Sequence, residues 1–478
     1  MVYFFTYLIY FYATALALLY LTLMIMSYYN TLRYKYRYTI REENYLKEFP
    51  EEAPGISIVA PAFNEEVIIY DSVNSLLNLD YPTFEVIIVN DGSKDKTLEI
   101  LVKEFELEEV PFYYVYKVYC KPVHRILRSR NPAYHRLMVV DKQNGGTKAD
   151  AMNAGVNVAQ YDYFINTDVD CILAEDTLSK IILPVLDSDK PVIAVGATMR
   201  MVNGCSVDKG RITRVKPPNR LIPLFQETEY LRSYLVAKMG WSMVNAIANV
   251  SGGFGLFDTQ VVIAAGGFDS ASHAEDMDMT ARMVAYMREN NKPYHIAQCP
   301  YSLCWTEGPP NIRVLNRQRT RWGRGMLQFI IDHRKFFLNK DYGRLGLLVM
   351  PYIVFFEFLA PIIEFTGFLF LLFLLITHQV NFDTFWMMLA YAYLIGLSVS
   401  IVTISYDLVL GKLYRNFWEY LKLVLFAALE AILYHPLVVI FTLRGYIQYL
   451  TRRKFKWGKM TRQGFSPSKN VNTVNNNA

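Results

Sequence analysis

Residues 163–170 read Tyr163-Phe164-Ile165-Asn166-Thr167-Asp168-Val169-Asp170, an apolar run that ends on two carboxylates. Tyr, Phe and Ile in succession have the composition of a buried strand. Side chains two apart on a strand point the same way, so Asp168 and Asp170 would leave its carboxyl end together. Such a pair can hold Mg2+ or Mn2+ while the ion's open positions take diphosphate oxygens. Turns are also rich in Asp. The apolar strand in front of this triplet is what favours the metal reading.

The same grammar repeats on either side. Ile56-Ser57-Ile58-Val59-Ala60 reads as a strand, and Glu65 to Leu79 follows with helical spacing. Phe84 to Val89 is a second strand and Thr97 to Phe105 a second helix. Leu137 to Val140 is a further strand, and Lys148 to Val158 a helix. Strands alternating with helices predict an α/β domain with a mostly parallel sheet covered on both faces. Ligands of such sheets sit at the carboxyl ends of the strands. That singles out Pro61-Ala62-Phe63-Asn64-Glu65, Asn90-Asp91-Gly92-Ser93 and Thr167–Asp170. Asn90–Ser93 has the composition of a type I turn; Asp91 can equally accept hydrogen bonds from a nucleotide base. Gly145-Gly146-Thr147-Lys148 opens a helix, where backbone amides and Lys148 favour phosphate. The Walker spacing is missing. Residues 117–136 form a basic insertion that reads as a solvated loop.

Downstream, Glu275-Asp276-Met277-Asp278 starts a helix. Acids are favoured there by capping and the helix dipole alone; the competing reading makes one of them a general base, Asp276 ahead of Glu275. Gln318, Arg321 and Trp322 fall on one helical face. Arg321 can compensate charge on a departing diphosphate, and Trp322 offers a flat face to a sugar ring. The alternative is an amphipathic interfacial helix whose Arg313, Arg317, Arg319 and Arg324 reach toward lipid headgroups. The two readings are compatible.

The chain has 478 residues, 53% hydrophobic and 19% charged, with a net charge of +5. That is too apolar for a wholly soluble protein and too weakly basic for general nucleic-acid binding. Residues 3–26 can span a bilayer, and no basic region precedes them as in a cleaved leader. Arg33, Lys35, Arg37 and Arg41 follow, which places the next segment in the cytosol. Apolar segments return at 347–376, 385–410 and 420–448. Three full spans there would put the basic residues after Arg452 outside, against the positive-inside rule. A re-entrant pair hinged near His435-Pro436 is one way out. Glu357 and Glu364 lie on one face of an apolar helix, where carboxylates line a wet path or sit at a headgroup boundary. Glu430 joins the same reading. Five cysteines without a CxxC pair read as reduced thiols rather than a disulfide or zinc frame.

The ordered set PAFNE, VNDGS, GGTKADAMNAG, TDVD, AED and QRTRW resembles the processive family-2 glycosyltransferases, which include cellulose, hyaluronan, chitin and poly-N-acetylglucosamine synthases. The resemblance covers about residues 55–330 and, in outline, the flanking spans. It implies a GT-A fold, a UDP-sugar donor, a divalent metal and inversion at the anomeric carbon. Pro61, Ala62, Asn64, Glu65, Asp91, Lys148, Asp168 and Arg321 would bind the UDP-sugar, and Asp168 and Asp170 the metal. Asp276 would be the base, with Glu275 beside it. Gln318, Arg321 and Trp322 would hold the acceptor, and Glu357 and Glu364 would lie on the glycan's path. Ala274 departs from the family's Thr or Ser before Glu-Asp. The compact layout is similar to the poly-N-acetylglucosamine synthases and favours UDP-GlcNAc.

The expected organisation is an anchor (1–30), a cytosolic linker (31–54), the GT-A domain (55–330), overlapping interfacial helices (313–345), a membrane region (346–450) and a basic, then disordered tail (451–478). The expected protein is a multi-pass inner (plasma) membrane enzyme with a cytosolic catalytic domain. Its partners would be a UDP-sugar, a growing glycan, the lipid bilayer and export or accessory subunits, without nucleic acid. The rivals are a transferase adding one sugar to a lipid and a transporter that senses nucleotide sugar.

Overall fold

The computed structural model describes residues 2–37, 46, 48–410 and 413–452. The readings of Arg41, Lys412 and the tail beyond Arg452 lie outside these residues. The strands are β1 (Ile56–Ala62), β2 (Phe84–Asn90), β3 (Leu107–Glu109), β4 (Val123–Ser129), β5 (Leu137–Lys142), β6 (Tyr163–Thr167), β7 (Ile172–Leu173), β8 (Val192–Met201), β9 (Ser206–Asp208), β10 (Arg211–Arg214), β11 (Phe254–Asp258) and β12 (His295–Thr306). Ten form one sheet in the order β3-β4-β5-β2-β1-β6-β11-β8-β12-β7, and β9 pairs with β10.

The four strands read from the sequence, β5-β2-β1-β6, are the parallel centre. They are apolar because both faces are covered. Ile56, Ile58 and Ala60 enter one core with Ile69, Val73 and Leu76 of the helix Ile69–Leu77. Val59, between them in sequence, enters the other with Ala149, Met152 and Val156 of the helix Lys148–Val158. Beyond this centre the sheet is mixed. β11 runs antiparallel to β6, with Phe254 opposite Thr167. The segment that leads into β11 therefore lands beside the carboxyl end of β6, and this placement builds the site.

The basic insertion is not simply a solvated loop. Its middle is β4, paired antiparallel with β5, and Arg125 Nε lies 3.0 Å from Asp141 Oδ2. Only Ile126 and Leu127 of this strand are fully buried, and they are adjacent, so there is little alternation to read. The first helix begins at Ile69 rather than Glu65. Residues 64–66 instead tie the first loop to the second, as described below.

Among the described residues, three helices are long and apolar enough to cross a membrane: Phe5–Tyr36, Leu345–Ile376 and Phe382–Leu410. The helices Phe417–Leu433 and His435–Leu450 form a pair bent by 49°. The break falls at the His435-Pro436 hinge, where proline's missing amide leaves the preceding turn unbonded. The helix Ile312–Asp332, capped by Asn311 on the Val314 amide at 3.1 Å, packs along His435–Leu450. A Cβ at Gly323 would meet the Thr442 carbonyl, and one at Gly445 the Thr320 carbonyl, so the two backbones touch.

Candidate active site

The first two strand-end loops are cross-linked. The Asn64 amide donates to Ser93 Oγ at 3.0 Å, Asn64 Oδ1 accepts from the Lys94 amide at 2.8 Å, and the Glu65 amide donates to Thr97 Oγ1 at 2.8 Å. Asn64 has φ 59°, a left-handed turn that Asn tolerates. The Ala62 carbonyl accepts from the Asp91 amide at 3.0 Å. Pro61 is half-buried beside it on the last turn of β1.

Asp91 is buried and held from both sides. Its Oδ1 accepts from Lys142 Nζ at 2.7 Å and from the Gly145 amide at 2.9 Å. Lys142 also donates to Asp150 Oδ1 at 2.5 Å. One fully buried ammonium thus clamps the end of β2 to the helix that Gly145-Gly146 opens. Lys142 was not singled out from sequence. Its signal was available as a charged residue closing an otherwise buried strand, next to Asp141 after the apolar run Leu137–Val140.

Asp168, Asp170 and Cys171 bring one ligand atom each within 4.8 Å of one another. The two carboxylates are hard oxygen donors that suit Mg2+ or Mn2+, while the buried thiol is a soft donor of another class. Lys148 Nζ is bonded to Asp168 Oδ1 and donates to the Gly252 carbonyl at 2.6 Å. Burial would lower the Lys148 ammonium, but Asp168 beside it more than compensates, and its pKa is raised.

The segment Asn249–Gly253, just before β11, joins this cluster to the later acids. Asp276 Oδ2 accepts from Asn249 Nδ2 at 3.1 Å and from the Gly252 amide at 3.0 Å. Asp276 Oδ1 accepts from the Met277 amide at 2.9 Å. A Cβ at Gly252 would lie 3.5 Å from Asp276, and one at Gly253 would lie 3.7 Å from Asp168 Oδ2. Two adjacent glycines therefore bring Asp168 and Asp276 to the same wall. Ala274 supplies no side-chain cap to the helix Glu275–Glu289; Asp276 bonds the free amide itself.

Glu275 meets the third stretch, with Oε2 3.9 Å from Arg321 Nη1. Burial pushes the Glu275 carboxyl up despite this guanidinium. Gln318 Oε1 accepts from Gln226 Nε2 at 3.1 Å. Trp322 is half-buried, with the Arg319 guanidinium 4.4 Å from its ring centre. Arg319 does not reach toward lipid. It is 4% exposed, bonded to Glu229 Oε1 at 2.7 Å and to Tyr434 Oη at 2.8 Å. Arg324 is buried too, near His273. Only Arg313 and Arg317 of the four are exposed. Period alone could not separate the buried pair from the exposed pair, because the partners Glu229 and Tyr434 are far away in the chain. Asp278 is taken up structurally: Oδ1 faces His333 Nε2 at 2.7 Å and Oδ2 accepts from Arg282 Nη2 at 2.6 Å.

Glu357 Oε1 accepts from Tyr352 Oη at 2.6 Å, and Glu364 Oε2 lies 2.7 Å from His435 Nε2. Both lie within electrostatic reach of Tyr12 on the first span. Glu430 is buried and bonded to the Arg232 guanidinium, with Oε2 2.7 Å from Nη1.

The chain as a whole has relatives. A model described as glycosyl transferase family 2 matches residues 57–119 and 121–240, and one described as glycosyl transferase family group 2 matches 219–399. Poly-beta-1,6-N-acetyl-D-glucosamine synthase of Staphylococcus epidermidis is 26% identical over 342 residues, covering 70% of this chain and 70% of the relative. The synthase of the same name from Staphylococcus aureus strain COL is 27% identical over 332 residues, 68% of each. The chain belongs to glycosyl transferase family 2. Among solved structures, a mannosyltransferase from Pyrobaculum calidifontis, in complex with GDP-Man and Mn2+, is 17% identical, with a TM-score of 0.49 over 92% of this glycosyltransferase and 100% of its own chain. The strand-end loops lie within the residues matched by the first model, and the helix Ile312–Asp332 within those matched by the second.

Proposed function

We propose that this glycosyltransferase is an inverting, processive polymerase of the inner (plasma) membrane, which builds a β-linked polysaccharide from UDP-GlcNAc and passes it between its membrane helices. The observation that carries this reading is the shared wall at Gly252-Gly253. It sets the carboxylates after β6, the acid Asp276 and, through Glu275, the Gln318–Trp322 helix around one pocket. Similarity to poly-N-acetylglucosamine synthases supports the donor.

Asp91, positioned by Lys142 and Gly145, faces the base of the nucleotide. Asn64 and Glu65 hold the two loops that frame it. Asp168 and Asp170 would hold a divalent ion, which when bound neutralises the donor's diphosphate. Lys148, shared between Asp168 and the Gly252 carbonyl, adds a positive charge on the same side. The two donors on Asp276 Oδ2 fix its carboxylate, and it takes the proton from the acceptor hydroxyl. The acceptor oxygen attacks the anomeric carbon opposite UDP, so an α-linked donor gives a β-linkage. Arg321 stabilises the departing diphosphate. Trp322, backed by Arg319, stacks on the acceptor ring. The product runs toward Glu357 and Glu364.

The bent helix pair supports the orientation in this reading. His435–Leu450 lies against the interfacial helix Ile312–Asp332 through Gly323 and Gly445, so it returns to the catalytic face as a re-entrant half. With three full spans, Arg444 and Arg452 then face the cytosol, as the positive-inside rule requires.

Membranes supplied with individual labelled UDP-sugars test the reading. Polymer from UDP-GlcNAc that a linkage-specific hydrolase degrades supports it. A product that stops at one sugar on a lipid supports the non-processive alternative and overturns it.

A further inference from the structure

One cation between the base and the membrane spans has no part in the reaction above. Lys238 closes the π-helical stretch Arg232–Lys238, which continues the helix Leu221–Leu231. One side of this stretch is fastened to the first span. Ser27 Oγ donates to the Leu235 carbonyl, Asn30 Nδ2 donates to the Met239 carbonyl at 2.9 Å, and Val236 packs on Leu23. Tyr234 and Lys238 share another side, with Nζ 4.8 Å from the ring centre. Tyr234 belongs to the apolar cluster of Met199, whose Sδ lies 3.1 Å from Ser251 Oγ, in the segment that touches Asp276. Lys238 itself lies within electrostatic reach of both Asp276 and Glu357. Just beyond it, the rings of Trp241 and Tyr352 are 5.0 Å apart, and Tyr352 donates to Glu357. A line of hydrogen-bonding and aromatic side chains thus runs from the base to the spans, with Lys238 at its middle.

A half-buried ammonium costs desolvation energy unless something answers it. Burial lowers the pKa of Lys238 to about 8, with Asp276 and Glu357 pulling it back, so the group stays largely protonated at neutral pH. Among the described residues it makes no ion pair. The carboxylates it senses belong to the base and the exit, whereas Asp168, on the diphosphate side, is already bonded to Lys148. The ligand it lacks is therefore on the acceptor side. π-helical turns recur where function demands an off-register side chain.

We infer that Lys238 is an acceptor-positioning residue, whose ammonium donates hydrogen bonds to the hydroxyl or N-acetyl oxygens of the sugar unit just added. So held, the chain end presents its next hydroxyl to Asp276 while older units pass Trp241 and Tyr352. This rests on the polymerase reading above.

The test is a steady-state comparison of wild-type, Lys238→Met and Lys238→Arg membranes, primed with a short β-linked N-acetylglucosamine oligosaccharide. Lys238→Met should raise the acceptor KM about tenfold, the scale of one lost charge-assisted hydrogen bond. The UDP-sugar KM should stay unchanged, products should be shorter, and Lys238→Arg should restore most of the acceptor affinity. If Lys238→Met fails to accumulate, Lys238→Gln replaces it in the same comparison. An unchanged acceptor KM alongside normal wild-type polymer overturns this inference alone. Wild-type membranes that make no polymer overturn the polymerase reading beneath it.

Discussion

The two sides of the proposed site are built differently. On the proposed donor side, each polar group is held from within the α/β domain: Asp91 by Lys142, Asn64 by the loop after β2, Asp168 by Lys148. On the acceptor side the supports come from distant parts of the chain. Arg319 behind Trp322 is held by Glu229 and Tyr434. Farther out, the buried Arg200 joins Glu227 at 2.7 Å, Asp407 at 2.6 Å and the Tyr414 hydroxyl at 2.7 Å, tying β8 to the span Phe382–Leu410. The donor side is a property of the α/β domain. The acceptor side exists only where that domain meets the membrane helices.

Four substitutions sharpen this contrast, in falling order of effect. Asp276→Asn removes the proposed proton acceptor, and polymer synthesis should drop by about a hundred- to ten-thousand-fold. UDP binding, measured by calorimetry, should persist, and normal polymer output would rule out the base assignment. Arg200→Leu leaves Glu227 and Asp407 buried without their cation, a loss of about 3–5 kcal/mol. It should appear as a lowered midpoint of thermal inactivation in detergent. Gly445→Val forces a side chain between two touching backbones and should cost about 1–3 kcal/mol by overpacking. Polymer yield should fall while UDP affinity holds; an equal fall in both would erase the distinction between the sides. Arg125→Gln breaks a partly exposed pair with Asp141 between β4 and β5, and should cost under about 1 kcal/mol, with no change in product length.

The same contrast explains what the sequence made legible. β1, β2, β5 and β6 were readable because strands buried on both faces must be continuous apolar runs, and their loops carry turn residues at once recognisable. The hinge at His435-Pro436 was readable because proline breaks a helix for local reasons. β4 was not, since this strand, one in from the sheet edge and bearing His124, Arg125 and Arg128, buries only the adjacent Ile126 and Leu127, which show no alternation. Nor was the burial of Arg319, whose compensation by Glu229 and Tyr434 is long-range. The mixed part of the sheet escaped for the same reason: nothing local in Phe254–Asp258 announces that β11 will run against β6. Lys142 was within reach, and Lys238 was not, because a lysine in a helical stretch ordinarily marks its wet face.

The contact of Gly323 with Thr442 and of Gly445 with Thr320 has a mechanical corollary. Main chain rests on main chain, with no side chain to act as a bearing, so the two rods cannot slide or roll without rebuilding their seam. They form a stator. If the polymer advances by one unit per cycle, the give has to come from softer joints, and the wide turns at Arg232–Lys238, Leu345–Val349 and Ile353–Phe358 stand at the right places to flex.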